Sequence, residues 1–228
     1  MAETSTNPAP LQPGMQGVVA DWASDQRAFK NVSWGKAMMW IFLLSDTFIF
    51  GSFLSSYMAV RLTTTAPWPD TSTVFALHVG GTEVPLLLIA IMTFILISSS
   101  GTMAMGVTAA YKKQRVRTGV LILLTALGGL AFVGMQAFEW TKLIVEEGIR
   151  PWENPYGAHQ FGGFFFMITG FHGLHVSIGV IYLSTVAWRV FAGRYDRLDD
   201  YQIVEVMGLY WHFVDLVWIF IFAFFYLW

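Results

Sequence analysis

Residues 161–188 read FGGFFFMITGFHGLHVSIGVIYLSTVAW, and this stretch decides the fold. It carries no charged side chain, and His172 and His175 are its only histidines. A helix rises about 1.5 Å per residue, so the run exceeds the roughly 20 residues that cross a bilayer core about 30 Å thick. Four more stretches repeat the pattern. Ala37–Val60 holds one charge, Asp46; Val84–Tyr111 and Thr118–Phe138 hold none; Gln202–Trp228 holds Glu205, His212 and Asp215. A transmembrane barrel would show strands of about ten residues alternating apolar and polar, and no such alternation is present. The expected fold is all-α: an integral membrane bundle of five transmembrane helices at about 37–60, 84–111, 118–138, 161–188 and 202–228.

Composition points the same way. Of 228 residues, 55% are hydrophobic and 12% charged, about half the charge of a soluble domain. The length alone suits one large soluble domain or two small ones, but so little charge leaves a soluble surface uncovered. The absence of cysteine excludes disulfides, Cys-ligated zinc, iron–sulfur clusters, thiolate copper and a Cys nucleophile. A net charge of −2 argues against nucleic acid as a partner. The polar segment 1–33, with Pro8, Pro10 and Pro13, lacks the apolar core of a secretory signal and is expected to be a disordered or surface-lying tail. The transmembrane domain then spans 34–228.

Basic residues orient the bundle. Arg27, Lys30, Lys36, Lys112, Lys113, Arg115, Arg117, Arg189, Arg194 and Arg197 fall on one side; only Arg61, Lys142 and Arg150 fall on the other. The N-terminus is expected to be cytoplasmic and the C-terminus outside. Small residues at packing spacing, Gly170, Gly173 and Ser177 on the fourth helix and Thr102 and Gly106 on the second, are expected at helix contacts. Trp34, Trp40, Trp140, Trp188 and Trp228 fall near helix ends, where an aromatic belt belongs.

Depth follows from orientation. Asp46 lies ten residues beyond Lys36, about 15 Å along a helix and hence near mid-membrane. His172, His175 and His212 fall in the same layer, Glu83 and Glu139 near the outer surface, Glu205 near the inner one. On the last helix Glu205, Gly208, His212 and Asp215 fall in one stripe, expected to face the interior because an intramembrane charge needs a partner. A histidine of the fourth helix or His212 is the expected partner of Asp46. Three readings of the layer stand: a metal or haem site built on His172, His175 and His212; a proton relay through Asp46; and structural hydrogen bonding across helices.

Specific residues then mark a family. Thr169-Gly170-Phe171-His172-Gly173-Leu174-His175-Val176 and Tyr210-Trp211-His212-Phe213-Val214-Asp215, followed by Val217-Trp218, resemble signatures of subunit III of haem-copper terminal oxidases. Glu83-Val84-Pro85-Leu86-Leu87 and Gln136-Ala137-Phe138-Glu139-Trp140 are similar to two further segments of that family, in the expected order. The resemblance covers about residues 35–228. It implies a non-catalytic, five-helix subunit of an aa3-type cytochrome c oxidase, beside subunit I and with subunit II in the complex, in a bacterial cytoplasmic membrane. Haem a and copper would then sit in the partner subunits, with no cofactor or metal on this chain. The family binds phospholipid, supports proton uptake and protects the active site from turnover-dependent inactivation. Asp46 stands where many members carry an intramembrane Glu. The implied buried acid and hydrogen-bond layer is Asp46, His172, His175, His212, Asp215 and Glu139; the implied lipid contacts are Arg189 and Arg194. Leu44-Ser45-Asp46-Thr47 is closer to the quinol-oxidase style. A quinol oxidase subunit III, a nitric-oxide-reductase accessory subunit and, from a different class, a stand-alone transporter are the alternatives.

Overall fold

The computed structural model describes residues 32–79, 82–84, 86–198 and 201–227. The tail through residue 31, with Arg27 and Lys30, and Trp228 lie outside the described residues, as does the Glu83 side chain. Five helices are long and apolar enough to cross a membrane. They are α1 (Trp34–Thr63), α2 (Leu87–Tyr111), α3 (Arg115–Val145), α4 (Gln160–Phe191) and α5 (Gln202–Ile221), the last continued by a π-helical turn, Phe222–Tyr226. Most run several residues past the uncharged stretches, because a helix ends where its caps are met and not where the bilayer core does.

The ends are chemically specified. The Ser33 side chain accepts from the Lys36 amide at 3.3 Å and starts α1. Gly148 and Gly193, at φ 67° and 68°, turn the chain out of α3 and α4 in the left-handed region, where a side chain would strain the backbone. Only Lys112, Lys113 and Gln114 separate α2 from α3, which makes them antiparallel neighbours. Between α1 and α2 lie a helical turn, Thr71–Val74, and a short hairpin of β1 (Leu77–Val79) and β2 (Thr82–Val84), paired antiparallel with His78 opposite Glu83. This hairpin is a small addition to the expected all-helical architecture.

α5 is the organising helix: it packs against α1, α2 and α4, while α3 packs against α2 and α4. In lipid, apolar side chains gain little by leaving the solvent, so close packing and buried hydrogen bonds hold such a bundle. Trp211 supplies both. Its ring is fully buried, and its indole N–H donates to Ser99 Oγ at 3.0 Å. A methyl group at Gly129 would come within 2.4 Å of the ring, and one at Gly179 within 2.9 Å. Two glycines on α3 and α4 thus form the slot that admits the indole. Among the small residues expected at contacts, Gly170 faces Trp140, Gly106 faces Leu121, and Thr102 bonds to Thr125 at 2.8 Å. Gly173, by contrast, has open space in front of it.

Gly129→Val fills the slot from one side and is expected to destabilise the bundle by about 1–3 kcal/mol, the usual cost of overpacking. A lower thermal midpoint of the detergent-solubilised protein, with helix content intact at 20 °C, is the readout; an unchanged midpoint would mean that Trp211 does not depend on that slot.

Candidate functional site

The polar groups of the sequence divide into four local arrangements. The first pairs α1 with α4. Asp46 points inward from α1 with 4% exposure, and its Oδ2 lies 3.1 Å from His175 Nε2. This is an ion-pair distance, and Oδ2 has no hydrogen-bond partner among the described residues. The other ring nitrogen, Nδ1, lies 2.8 Å from the Phe171 carbonyl oxygen. A carbonyl only accepts, so the network assigns the Nδ1 proton. Nε2 is then the ring nitrogen that faces the Asp46 carboxyl. Tyr210 of α5 donates to the His175 backbone carbonyl at 2.9 Å, and the rings of Phe50 and Phe171 stand 5.6 and 4.7 Å from the imidazole. The helix-four partner of Asp46 is thus His175.

His172, one turn earlier, belongs to a different environment. It is fully buried, stacked on Trp218 at 5.3 Å and met edge-on by Phe132 at 5.7 Å, and neither ring nitrogen has a hydrogen-bond partner. It acts there as a packed aromatic ring and makes no hydrogen bond to Asp46.

His212 departs from the expected stripe. Asp215 is buried, with one carboxyl oxygen lacking a partner, but His212 is exposed on the outside of the bundle. Its Nδ1 lies 2.6 Å from Ser100 Oγ on α2. It is bonded to Ser100 and not to Asp46. The reason is angular: three residues displace a side chain by about 60° around the axis, enough to put one edge of a stripe inside and the other out. Glu205, at the N-terminal end of the same stripe, forms an ion pair with Lys36 and ties α5 to α1.

Glu139 anchors the end of the bundle that carries the C-terminal turn. It is 3% exposed, accepts from Gln136 Nε2 at 2.7 Å, and accepts from the Tyr226 hydroxyl at 3.1 and 3.2 Å. Thr71 donates to the Tyr226 carbonyl at 3.2 Å, and Lys142 donates to the Ala76 carbonyl. The π-helical turn is what brings Tyr226 round to Glu139; one wide turn re-aims a side chain at a buried group. Gln136 was legible as an i, i+3 neighbour of Glu139, whereas Tyr226 carried no sequence signal and Tyr210 entered only as part of the Tyr210–Asp215 segment, with nothing to place it on His175.

At the opposite end, Trp188, Arg189, Ala192, Arg194 and Arg197 line an open hollow of about 490 Å³. Arg197 donates to the carbonyls of Ala192 and Gly193 at 2.9 and 3.2 Å, and Arg189 and Arg194 are exposed. Nearby, burial and the Asp196 carboxylate push the Tyr201 hydroxyl up to about 12, so it remains a donor to Asp196 at neutral pH. Trp40 and Trp188 are 55% and 73% exposed near helix ends, whereas Trp140 is turned inward onto Phe166. Among the described residues no three His, Asp or Glu side chains converge as a metal-binding group.

Comparison with known proteins adds a second line. The sequence model described as Cytochrome c oxidase subunit III matches residues 24–228. The chain is 34% identical over 188 residues to Cytochrome c oxidase subunit 3 of Thermostichus vulcanus, covering 82% of this chain and 84% of that protein. It is 34% identical over 199 residues to Cytochrome c oxidase subunit 3 of Rhipicephalus sanguineus, covering 85% and 70% respectively. It is also 30% identical over 199 residues to the Probable quinol oxidase subunit 3 of Staphylococcus saprophyticus, covering 87% and 90%.

Tyr226→Phe removes a donor from a buried carboxyl and should cost about 1–3 kcal/mol. Faster amide hydrogen exchange over residues 222–227, with exchange in α2 unchanged, is expected; uniform protection would show that Glu139 does not hold the C-terminal turn.

Proposed function

The chain belongs to the cytochrome c oxidase subunit III family, and on that premise we propose that it is the non-catalytic third subunit of an aa3-type cytochrome c oxidase. Its five spans and its family make it an integral membrane protein of the bacterial inner membrane, part of a multi-subunit terminal oxidase. The finer reading is that it lies against subunit I, with subunit II in the complex, and that haem a and copper reside in those partners. Its own contribution is to stabilise subunit I, hold phospholipid and support proton uptake for O2 reduction coupled to proton pumping. The N-terminus lies on the cytoplasmic side in this reading, as the loop charges favour.

The observation that carries the proposal is the Asp46–His175 pair. A carboxyl at mid-membrane is costly even on insertion-based scales, about 2.5–3.5 kcal/mol, and is retained where it serves a site. Here its imidazole partner is locked by the Phe171 carbonyl and buttressed by Tyr210. The pair joins a buried carboxyl of α1 to an imidazole of α4 at mid-span, 3.1 Å apart. Buried acid–base pairs of this kind mark proton relays inside membranes, and they need no redox centre of their own. The hollow around Arg189 and Arg194 suits a phospholipid phosphate: guanidinium groups match phosphate oxygens, and the exposed Trp188 ring suits the interface beside a headgroup.

A quinol oxidase subunit III is the second reading. It is favoured by the staphylococcal relatives, three of which bear that name, and by Leu44-Ser45-Asp46-Thr47. Co-purified subunits separate the two: a subunit II with a cysteine-bound dinuclear copper centre means cytochrome c as donor, and one without it means quinol.

Asp46→Asn in the intact complex is expected to leave haem spectra unchanged and to shorten the catalytic lifetime severalfold, counted as turnovers before inactivation. Loss of the haem spectra would contradict a non-catalytic role, and an unchanged lifetime would remove Asp46 from the mechanism. Arg189→Ala combined with Arg194→Ala should lower the phospholipid retained per purified complex, measured by lipid mass spectrometry; full retention would reassign both arginines to topology alone.

A further inference from the structure

Glu139 is a buried carboxyl outside the Asp46–His175 pair, and its bonding is incomplete. It stands in the last two turns of α3 and is 3% exposed. The Tyr226 hydroxyl reaches both of its oxygens, and Gln136 Nε2 donates to Oε2. These two donors leave capacity, since a carboxyl offers about four lone-pair sites. Gln136 Oε1, in the same cluster, is buried with no partner among the described residues. The cluster is short of donors. Lys142, one turn further along α3, is half-buried and gives one of its ammonium protons to the Ala76 carbonyl of the α1–α2 connection. Among the described residues it forms no direct ion pair with Glu139.

Both side chains line one small cavity of about 10 Å³. Its other walls are apolar and include Phe75 of the α1–α2 connection, Ile89 of α2 and Leu143 of α3. Six of its eight lining residues are buried. Such a volume is about one water-sized sphere, the least space in which a protein holds a water. Space alone is not enough, because a buried water is retained where about two to four polar groups bond to it. Glu139 and Lys142 supply an acceptor and a donor on the same cavity. A metal cation would be repelled by the Lys142 ammonium, and a larger ligand does not fit.

We propose that this cavity is the binding site of a single buried water, which accepts from Lys142 and donates to Glu139. The water links a carboxyl enclosed by the bundle to a half-exposed ammonium at its end. Lys142 carries the chain of bonds on to the Ala76 carbonyl, while Tyr226 carries it to Thr71. One polar network thus joins the last turns of α3, the C-terminal π-helical turn and the α1–α2 connection. The site goes beyond the subunit III reading and does not depend on which electron donor the complex uses.

The test uses the intact complex. A cryo-EM map that resolves ordered waters elsewhere in this chain should show one peak about 2.5–3.2 Å from both a Glu139 carboxyl oxygen and Lys142 Nζ. Hydroxyl-radical footprinting, in which X-rays split water and the radicals mark side chains beside it, reads the same site in solution. Phe75 should be modified severalfold faster than Phe132, a ring comparably shielded from the surface at 0% exposure against 5%. Val74→Ile adds a methylene to the cavity wall and should abolish both the peak and the excess labelling of Phe75. A map with other waters and no peak here overturns the proposal, as does a peak that touches only one of the two side chains. So does labelling of Phe75 no faster than that of Phe132, or labelling unchanged in an assembled Val74→Ile complex. Where Val74→Ile does not assemble, the map and the labelling rates of the unaltered chain decide.

Discussion

Everything in this bundle depends on the indole of Trp211 entering a slot made by two glycines. The ring touches α3 at Gly129 and α4 at Gly179, and its N–H reaches Ser99 on α2. One side chain of α5 therefore sets how closely three other helices approach. In a bilayer this matters more than in water, since burial of apolar surface does not draw the helices together and contact geometry has to. The position of α5 then decides the rest: Tyr210 meets the His175 carbonyl, Glu205 meets Lys36, and the π-helical extension carries Tyr226 to Glu139.

The second organising rule is that polar groups inside the membrane are resolved pairwise, by whichever neighbour lies within reach. Asp46 finds His175, Glu139 finds Gln136 and Tyr226, and His212 finds Ser100. His172 finds only aromatic rings, so it contributes packing where its sequence neighbour His175 contributes chemistry. The layer that looks continuous along the sequence is thus split into separate sites. Among the described residues no three His, Asp or Glu side chains are left to converge on one point.

Much of this was legible from the residues. The five spans follow from uncharged runs, and the stops at Gly148 and Gly193 lie where glycine should end a helix. Pairing of Asp46 with a histidine also follows, because an isolated carboxyl in lipid is too costly to leave alone. The sequence did not reveal that His175 and not His172 or His212 is that partner, nor that Tyr226 closes on Glu139. The same face-sharing rule placed His212 and Asp215 together, yet the structure puts one outside and one inside.

The sequence by itself determined which segments cross the membrane, in what order, and which few polar residues ride with them. Those properties depend on run length and charge, which the bilayer reads locally along the chain. Only the tertiary structure decided how each helix is rotated about its axis. Helical periodicity defines a stripe but not what the stripe faces, and a rotation of about 60° is enough to exchange a buried partner for an exposed surface. That rotation was decided by contacts between distant residues, above all Trp211 with Gly129 and Gly179. It made Asp46 and His175 a buried pair and left His212 facing outward.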